Sequence, residues 1–306
     1  MKPEHPLVSV CITTYNLEEH IGKTLDSVLT QETSFPFEIV VHDDASTDRT
    51  VEIIQEYEKQ HPDMFKTIFQ EKNIYRSHPG GLGHIFNSHL LPQTSGTYIA
   101  ICDGDDYWTD DKKLEKQVRF MEQNPEYAGC FTNATVINEM SGEKSDYYKD
   151  LEEGAVDTRR AILNGGSTFP TSTLLFRKED FISSPFFEQY EDFSKHHEYD
   201  TLFINCLIMV GDVAYIDDIT AVYRRWPQGL YSGILDDSPA RANMKERELY
   251  GNKKLLKIAP NHLKPYIRRK ISIDALFIVR SKSGPGKWKH LLNLTMKELM
   301  KWVSGR

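Results

Sequence analysis

Short apolar runs alternate with helical apolar spacing over the first 110 residues of the chain. Four runs rich in β-branched and aromatic residues predict strands, at residues 7–12, 37–41, 65–69 and 98–102. Between the runs, apolar residues recur at helical intervals, as in the first predicted helix at Ile21, Leu25, Val28 and Leu29. Strands that alternate with helices predict an α/β fold around a mostly parallel sheet, with helices on its faces.

The second predicted helix follows a polar loop after the second strand. Its apolar positions are Val51, Ile54 and Tyr57. Ser46 or Thr47 is expected to cap it, because a hydroxyl oxygen can accept hydrogen bonds from the first free amides of a helix.

The pattern is less regular after residue 110. Shorter strands are predicted at residues 129–133, 172–176 and 213–216, and a largely buried helix from Asp200 to Val210. From about residue 236 the apolar spacing is helical. We therefore expect three parts: a first half at 1–110, a second half at 111–235 and a helical tail at 236–306.

Charge is distributed unevenly along the 306 residues, whose net charge is −8. Residues 253–306 contain 14 basic and 2 acidic side chains, so this segment is strongly positive and the rest strongly negative. An acidic body repels phosphate backbones, which argues against nucleic acid as a partner. The first residues lack the apolar core of a signal peptide, so we expect a cytoplasmic protein.

Acidic side chains follow two of the predicted strands. Asp43 and Asp44 come after the second strand, and Asp103, Asp105 and Asp106 after the fourth. In an open parallel sheet, ligands bind outside the carboxyl ends of the strands. Carboxylates crowded at that edge are costly unless a cation neutralises them, and hard oxygen ligands suit Mg²⁺ or Mn²⁺. The alternative is that the second acidic group is only a solvated turn.

Three segments resemble the family 2 glycosyltransferases, which have a GT-A (Rossmann-like) fold. Residues 8–16 (VSVCITTYN) resemble the family's first strand and nucleotide loop, and residues 43–50 (DDASTDRT) its D-D-x-S-x-D-x-T element. Residues 102–108 (CDGDDYW), with Lys113 and Leu114 downstream, resemble the D-x-D element of polysaccharide and lipopolysaccharide glycosyltransferases. The resemblance covers roughly residues 7–233.

This resemblance implies how a nucleotide-sugar donor is held. Thr13 and Tyr15 are expected beside the nucleobase, and Asp44 is expected to accept a hydrogen bond from the base imide, which favours uracil and hence a UDP-linked donor. Asn73 matches the Asn of the loop after the third strand. The Arg that often follows that Asn has no clear match, and Arg76 or His84 is the candidate to replace it at the diphosphate.

The resemblance also implies a metal site at Asp103, Asp105 and Asp106. Asp103 resembles the residue that touches the ribose or the metal, Asp105 the one that ligates the cation, and Asp106 the neighbour that supports the site. A cation on the two phosphates stabilises the negative charge of a departing nucleoside diphosphate.

An inverting transfer needs a carboxylate that takes the proton of the attacking hydroxyl. The candidates in the second half are Glu198 and Asp200. Family members have an acidic residue eleven positions before a Gly that precedes a strand, and Asp200 has this spacing to Gly211. Asp200 is therefore the expected base. The alternative is that it only caps the helix that follows.

The sequence thus predicts an inverting glycosyltransferase that uses Mn²⁺ or Mg²⁺ and acts on a glycan or lipid-linked acceptor in cell-surface polysaccharide or lipopolysaccharide synthesis. One alternative is an inactive nucleotide-sugar-binding scaffold of the same fold. Another is a nucleotidyltransferase, whose first strand normally leads into a Gly-rich loop, whereas residues 13–16 contain no glycine.

Two interpretations of the basic tail stay open. Its basic residues alternate with aromatic and aliphatic ones, which suits the surface of an anionic membrane. A bundle of helices packed on the acidic body would have the same composition. The basic positions are Lys264, Arg268, Arg269, Lys270, Lys287, Lys289, Lys297 and Lys301, and the apolar ones are Tyr266, Phe277, Trp288, Leu291, Leu292, Leu299 and Trp302.

Overall fold

The computed structural model describes residues 5–164, 168–196, 199–227, 229 and 238–282. The strands are β1 (Val8–Thr14), β2 (Phe37–Asp43), β3 (Phe65–Phe69), β4 (Tyr98–Ile101), β5 (Tyr107–Trp108), β6 (Tyr127–Asn138), β7 (Lys144–Asp146), β8 (Gly154–Ala155), β9 (Leu175–Arg177) and β10 (Asp212–Arg225). The α-helices are α1 (Ile21–Leu29), α2 (Thr50–Gln60), α3 (Ile74–Ser77), α4 (Gly81–Ile85), α5 (Lys113–Gln123), α6 (Thr158–Asn164), α7 (Lys178–Ser183), α8 (Tyr190–Ser194), α9 (Tyr199–Leu207), α10 (Ser238–Ile258) and α11 (Lys264–Lys282).

All of these strands belong to one sheet, with the order β3-β2-β1-β4-β9-β6-β10-β5; β7 pairs with β6 and β8 with β10. The first four strands in this order are mutually parallel, and so are β6 and β10. Strand β9 is antiparallel to both β4 and β6 and joins the two parallel groups. The expected α/β fold is confirmed. The division at residues 110 and 235 stays a prediction, and the sheet runs without a break across the first boundary.

Helices cover both faces of the sheet. Alternate residues of the central strands face opposite sides, and since both sets are largely apolar, both faces need to be buried. On β1, Val10 packs in an apolar cluster with Leu25 of α1 and Leu114 of α5. Its neighbour Cys11 belongs to the cluster on the other face, which includes Leu202 of α9. This double covering explains why β1, β2 and β4 are almost continuously apolar in sequence.

Two sequence predictions need correction. Strands β6 and β10 are much longer than predicted, because they pair along most of their length, and shifts of register near Ile219 break the alternation of apolar and polar residues in β10. The predicted cap of α2 is wrong. The helix begins at Thr50, and the carboxylate of Asp48 accepts a hydrogen bond from the Thr50 amide at 3.0 Å.

The described part of the tail packs on the body. Leu255 and Leu263 are buried in the same cluster as Phe203 of α9, as is Ile271 of α11. Lys270 lies 3.4 Å from Asp274 in an ion pair, so its charge is satisfied within the helices. The described part of the tail thus packs on the body, as the bundle interpretation expects, and membrane binding stays a prediction. The predicted basic and aromatic positions from Lys287 to Trp302 lie outside the described residues. None of the helices formed by the described residues is both long and apolar enough to cross a membrane.

Candidate functional site

A cavity of about 830 Å³ lies outside the carboxyl ends of β1, β2 and β4. Its walls come from both halves of the sheet, so residues far apart in sequence meet there. The sequence-predicted residues that line it are Thr13, Tyr15, Asp44, Asn73, Arg76, Asp103, Asp105 and Asp200. Neither Asp106 nor His84 is among the described lining residues. Glu198 lies outside the described residues.

The loop after β2 is held by its own acidic residues. Asp43 is buried, and its carboxylate accepts hydrogen bonds from the amide and the hydroxyl of Ser46, at 2.8 and 2.5 Å. Burial is the main cause that raises the pKa of Asp43. Between Asp44 and Ser46, Ala45 has a φ of +66°, a left-handed conformation that costs a non-glycine residue roughly 1–2 kcal/mol. The loop is thus held in one tight shape, which fixes Asp44.

Asp44 anchors the loop after β3 to this wall. Its two carboxylate oxygens accept hydrogen bonds from the amides of Ile74 and Tyr75, at 2.7 and 2.9 Å. The side chain of Asn73 donates to the Asp44 carbonyl at 3.1 Å and accepts from the amide of Arg76 at 2.8 Å. Each Asp44 oxygen keeps lone pairs for a further donor. Asp44 and Asn73 therefore hold the loop together and still face the cavity.

Arg76 and Tyr15 lie together on the same side of the cavity. The guanidinium of Arg76 is 5.4 Å from the centre of the Tyr15 ring, within the range of a cation–π contact. Among the described residues, Arg76 forms no ion pair. Its charge is therefore free to meet an anion in the cavity. His84, the other candidate for the diphosphate, instead contacts Glu191 at 2.9 Å.

The acidic loop after β4 lies directly against the end of β1. The Gly104 amide donates to the Thr13 carbonyl at 3.0 Å. A Cβ atom at residue 104 would lie 2.7 Å from that carbonyl oxygen, a contact that the backbone could not relieve without moving. Glycine is thus required here for the loop to approach the end of β1.

Three carboxylates crowd together at the centre of the site. Burial raises the pKa of Asp103 well above its usual range, and the charges of Asp105 and Asp200 raise it further. No Lys or Arg of the described residues pairs with Asp103 or Asp105. Asp200 lies in the first turn of α9, and Gly211 immediately precedes β10, as the predicted spacing requires. The fold therefore brings Asp200 next to the acidic loop.

Asp105 is oriented by the end of β10. Its Oδ2 atom accepts a hydrogen bond from the indole N–H of Trp226 at 2.8 Å, and its carbonyl accepts one from Arg224 at 2.9 Å. Arg224 also lies 3.4 Å from Glu139, an ion pair that keeps the guanidinium in place. These contacts leave the second carboxylate oxygen of Asp105 without a hydrogen bond from the described residues.

Asp106 has a different position from Asp103 and Asp105. It is 1% exposed, and its two oxygens accept hydrogen bonds from the Ser172 hydroxyl and the Arg224 amide, at 2.6 and 2.9 Å. Ser172 in turn accepts from the Asp103 amide at 3.1 Å. Asp106 thus ties the acidic loop to β10 and to the segment before β9. Its direct ligation of a metal stays a prediction, and its contacts favour support of the loop.

Two tyrosines line the cavity around Asp200. The rings of Tyr147 and Tyr223 lie 6.2 Å apart. Burial raises the pKa of Tyr147 to about 12, and the negative charge of Asp200 contributes. The same two causes, with Asp106 as a further charge, raise the pKa of Tyr223. Both phenols therefore stay neutral and can donate hydrogen bonds beside Asp200.

Sequence reasoning missed several residues of this site. Three of them form hydrogen bonds to the acidic loop although they lie 66 to 121 positions away from it in sequence: Ser172, Arg224 and Trp226. The stretch 223–226 after the last predicted strand was a possible signal, because it joins aromatic and basic residues at a strand's carboxyl end. Tyr147 lies in a polar region with no distinguishing pattern.

The metal-ligating atoms that this site offers suit a divalent cation. Asp103 and Asp105 present carboxylate oxygens to one cavity, where burial raises the pKa of Asp103 and the charges of Asp105 and Asp200 add to the effect. Oxygen ligands of this kind suit Mg²⁺ or Mn²⁺, which are usually bound by one or two carboxylates together with substrate phosphates. The rest of the coordination shell would then come from a bound ligand that carries phosphates.

This chain resembles known proteins in sequence and in fold. The model of a family described as "Glycosyl transferase family 2" matches residues 9–183. An uncharacterized protein of Mycobacterium tuberculosis is 32% identical over 236 residues, which are 75% of this chain and 62% of the relative. A putative teichuronic acid biosynthesis glycosyltransferase of Bacillus subtilis is 38% identical over 117 residues, or 38% of this chain and 42% of that protein. This chain thus spans less than two thirds of each relative's length.

Two solved structures share the fold. TarS from S. aureus in complex with UDP has a TM-score of 0.56 at 19% identity, over 98% of this chain and 92% of that one. A mannosyltransferase from Pyrobaculum calidifontis, in complex with GDP-Man and Mn²⁺, has a TM-score of 0.57 at 17% identity, over 98% and 84% of the two chains. At these identities the likeness concerns the fold alone.

Proposed function

The chain belongs to glycosyl transferase family 2, and we propose that it transfers a sugar from a UDP-linked donor to an acceptor hydroxyl with inversion of configuration. The observation that best supports this proposal is the meeting of Asp103, Asp105 and Asp200 at one cavity. Asp103 and Asp105 can hold the cation that a nucleotide sugar needs, and Asp200 can act as a base. The family match also favours sugar transfer over nucleotidyl transfer.

The nucleotide is proposed to lie on the β1–β2 side of the cavity. Thr13 and Tyr15 would contact the base, and an oxygen of Asp44 would accept the N–H of a uracil imide. Asn73 would act by holding the loop that carries Arg76, whose guanidinium forms no ion pair with the described residues and is suited to a phosphate. The TarS structure, which has the same fold, contains UDP, whereas the mannosyltransferase structure contains GDP-Man, so the proposal of uridine rests on Asp44.

The diphosphate is proposed to lie over the acidic loop. Asp103 and Asp105 would hold Mn²⁺ or Mg²⁺ there, with Asp106 supporting the loop from behind. When bound, the cation supplies positive charge to the leaving diphosphate. Trp226 and Arg224 would keep Asp105 turned toward the cavity. The mannosyltransferase structure with the same fold contains Mn²⁺ together with GDP-Man, which supports the use of a divalent cation.

Asp200 is proposed to be the general base. A neutral sugar hydroxyl is a weak nucleophile, and a carboxylate that accepts its proton as the new bond forms lowers the barrier. Attack in line with the leaving group places the acceptor on the far side of the donor sugar from the diphosphate. Asp200 comes from the second half of the chain, and Tyr147 and Tyr223 beside it offer neutral phenols to acceptor hydroxyls.

The acceptor is proposed to be a glycan or a lipid-linked saccharide of a cell-surface polysaccharide. The similarity to a putative teichuronic acid biosynthesis glycosyltransferase supports this class. Such an enzyme would work in the cytoplasm, at the inner face of the membrane, and residues 285–306 are proposed to bind anionic lipid there. Flotation with anionic liposomes tests the last point, since deletion of 285–306 should abolish binding.

A donor panel tests the proposed reaction. The protein is incubated with UDP-, GDP- and dTDP-linked sugars and Mn²⁺, and free nucleoside diphosphate is measured. We expect release from at least one UDP-sugar, with strong dependence on the metal and loss in Asp105→Asn. If a UDP-sugar binds but no diphosphate is released with any acceptor extract, the chain is a binding protein of the same fold and the proposal is wrong.

A further inference from the structure

Two histidines and a glutamate meet outside the donor cavity, where α4 packs against α8. Nδ1 of His84 lies 2.9 Å from an oxygen of Glu191, and one ligand atom from each of His78, His84 and Glu191 lies within 4.8 Å of the others. All three residues are partly exposed. We propose that they form a second metal site, which binds a transition-metal dication such as Zn²⁺. This inference does not depend on the proposed function.

The ligand types and distances suit Zn²⁺ better than Mg²⁺. Zn²⁺ binds imidazole nitrogen and carboxylate oxygen at about 2.0–2.2 Å, and in a tetrahedral site this places ligand atoms roughly 3.3 Å apart. The His84–Glu191 pair is already near that separation. A cation between them would replace the hydrogen that they share. A water molecule could occupy the fourth position, because the three side chains are open to solvent.

His78 has to turn for the site to close. Its ring is stacked on that of His84, with centroids 3.6 Å apart, and its Nδ1 atom accepts a hydrogen bond from the Gly80 amide at 3.1 Å. Ligation through Nδ1 would exchange this single hydrogen bond for a bond to the metal. The ring is partly exposed, so it has room for the rotation.

The carboxylate of Glu191 is held in the orientation that a metal ligand needs. Its other oxygen accepts hydrogen bonds from the Asn87 amide group at 2.9 Å and the Ser88 hydroxyl at 3.0 Å. Partners of this kind fix metal-ligating carboxylates in known sites and strengthen binding. The oxygen that faces His84 is thus left for the cation.

Close helix packing fixes the distance between the two sides of the site. A Cβ atom at residue 80 would lie 2.5 Å from the Ser194 hydroxyl, and one at residue 83 would lie 2.9 Å from the Ser194 Cβ. Helix α4 therefore fits against α8 only with glycines at these positions. Leu82 and Ile85 of α4 line the donor cavity, so a metal that joins His84 to Glu191 would fix one of its walls.

Metal titration of the full-length Asp105→Asn protein tests the proposal, because this background removes a carboxylate of the donor site. Zn²⁺ alone is titrated by calorimetry, and Co²⁺ is added separately to record its visible absorption. We expect one Zn²⁺ per chain and a Co²⁺ spectrum with nitrogen ligands. Further replacement by His78→Ala, His84→Ala or Glu191→Gln should weaken Zn²⁺ binding by at least about tenfold.

Matched controls separate this site from general metal binding. Glu188→Gln and His262→Ala change exposed residues of the same types and should leave Zn²⁺ affinity unchanged. His78→Ala leaves the His84–Glu191 hydrogen bond intact and therefore reports on ligation even if the other variants unfold. The proposal is overturned if the Asp105→Asn protein shows no saturable Zn²⁺ binding, or if His78→Ala binds Zn²⁺ with unchanged affinity. Either result would mean that the three residues only pack and hydrogen-bond.

Discussion

The indole N–H of Trp226 donates a hydrogen bond to the carboxylate of Asp105 at 2.8 Å, across 121 positions of the chain. Trp226 follows the last strand of the sheet, and Asp105 lies in the loop after β4. The contact therefore couples the orientation of the proposed metal ligand to the half of the molecule that would receive the acceptor.

Trp226→Phe should weaken metal-dependent donor binding. The change keeps an aromatic ring beside His20 but removes the N–H that orients Asp105. Loss of a hydrogen bond to a metal ligand typically costs about 10–100-fold in affinity, so we expect a loss of this size for Mn²⁺ in the presence of UDP. Calorimetry measures it, with Tyr250→Phe, an exposed aromatic outside the cavity, as the control. Unchanged Mn²⁺ affinity would show that Asp105 needs no help from Trp226.

Gly104→Ala should displace the acidic loop. The added Cβ would lie 2.7 Å from the Thr13 carbonyl, so the loop has to move away from β1. We expect a folded protein that has lost most of its metal-dependent UDP binding. Gly22→Ala, in helix α1, is the control. Among the described residues outside that helix, its added Cβ would approach only the Tyr57 hydroxyl, at 3.8 Å. Wild-type UDP binding by Gly104→Ala would contradict the placement of the loop.

Metal affinity should fall as the pH is lowered, and earlier than for ordinary carboxylates. Burial and the charges of Asp105 and Asp200 raise the pKa of Asp103, so its carboxylate takes up a proton at a higher pH than a free Asp, whose pKa is about 3.9. A protonated Asp103 cannot ligate a cation. Asp200→Asn removes one of the repelling charges and should shift the midpoint of Mn²⁺ binding to lower pH. Identical pH profiles of Mn²⁺ affinity in the two proteins would argue against the proximity of Asp103 and Asp200.

Lys113→Met should change how stability depends on pH. Lys113 is fully buried, with its ammonium 2.6 Å from the side-chain Oε1 atom of Gln117 and 4.3 Å from the Trp108 ring centre. Burial lowers its pKa from 10.5 to about 8. Between these values the unfolded chain binds more protons than the folded one, so this lysine makes stability rise with pH there, by on the order of 3 kcal/mol.

The methionine variant lacks this contribution. The unfolding free energy of wild type minus that of Lys113→Met, measured with denaturant, should therefore rise between about pH 8 and 10. Lys112→Met, at an exposed position, serves as the control for removal of a nearby charge. A difference that stays constant with pH would mean that Lys113 keeps an ordinary pKa in the folded protein.

The group β3-β2-β1-β4 could be predicted because each of these strands is a short apolar run, and helices with regular apolar spacing follow β1, β2 and the acidic loop after β4. The second half was harder. In β10, Asp217 and Asp218 interrupt the apolar residues, and the register shifts near Ile219 hide the alternation. The strand therefore resembled a short strand and a polar loop.

The site could be predicted in part, for a physical reason. Asp44 and Asp103 follow strands that are parallel and near each other in the sheet, so their position at one edge follows from topology. The division of roles within the acidic loop does not. Asp106 is buried and accepts hydrogen bonds from Ser172 and Arg224. The local sequence does not indicate which of the two adjacent aspartates faces the cavity.

Turnover of Asp200→Asn tests the central proposal most directly. Asparagine keeps the size of the side chain but cannot take a proton from the acceptor hydroxyl. With the donor identified by the panel, diphosphate release should fall by about 10²–10⁴-fold, while UDP affinity in the presence of Mn²⁺ stays close to that of the wild type. Turnover near the wild-type rate in Asp200→Asn, together with its collapse in Glu198→Gln, would contradict the assignment of Asp200 as the base.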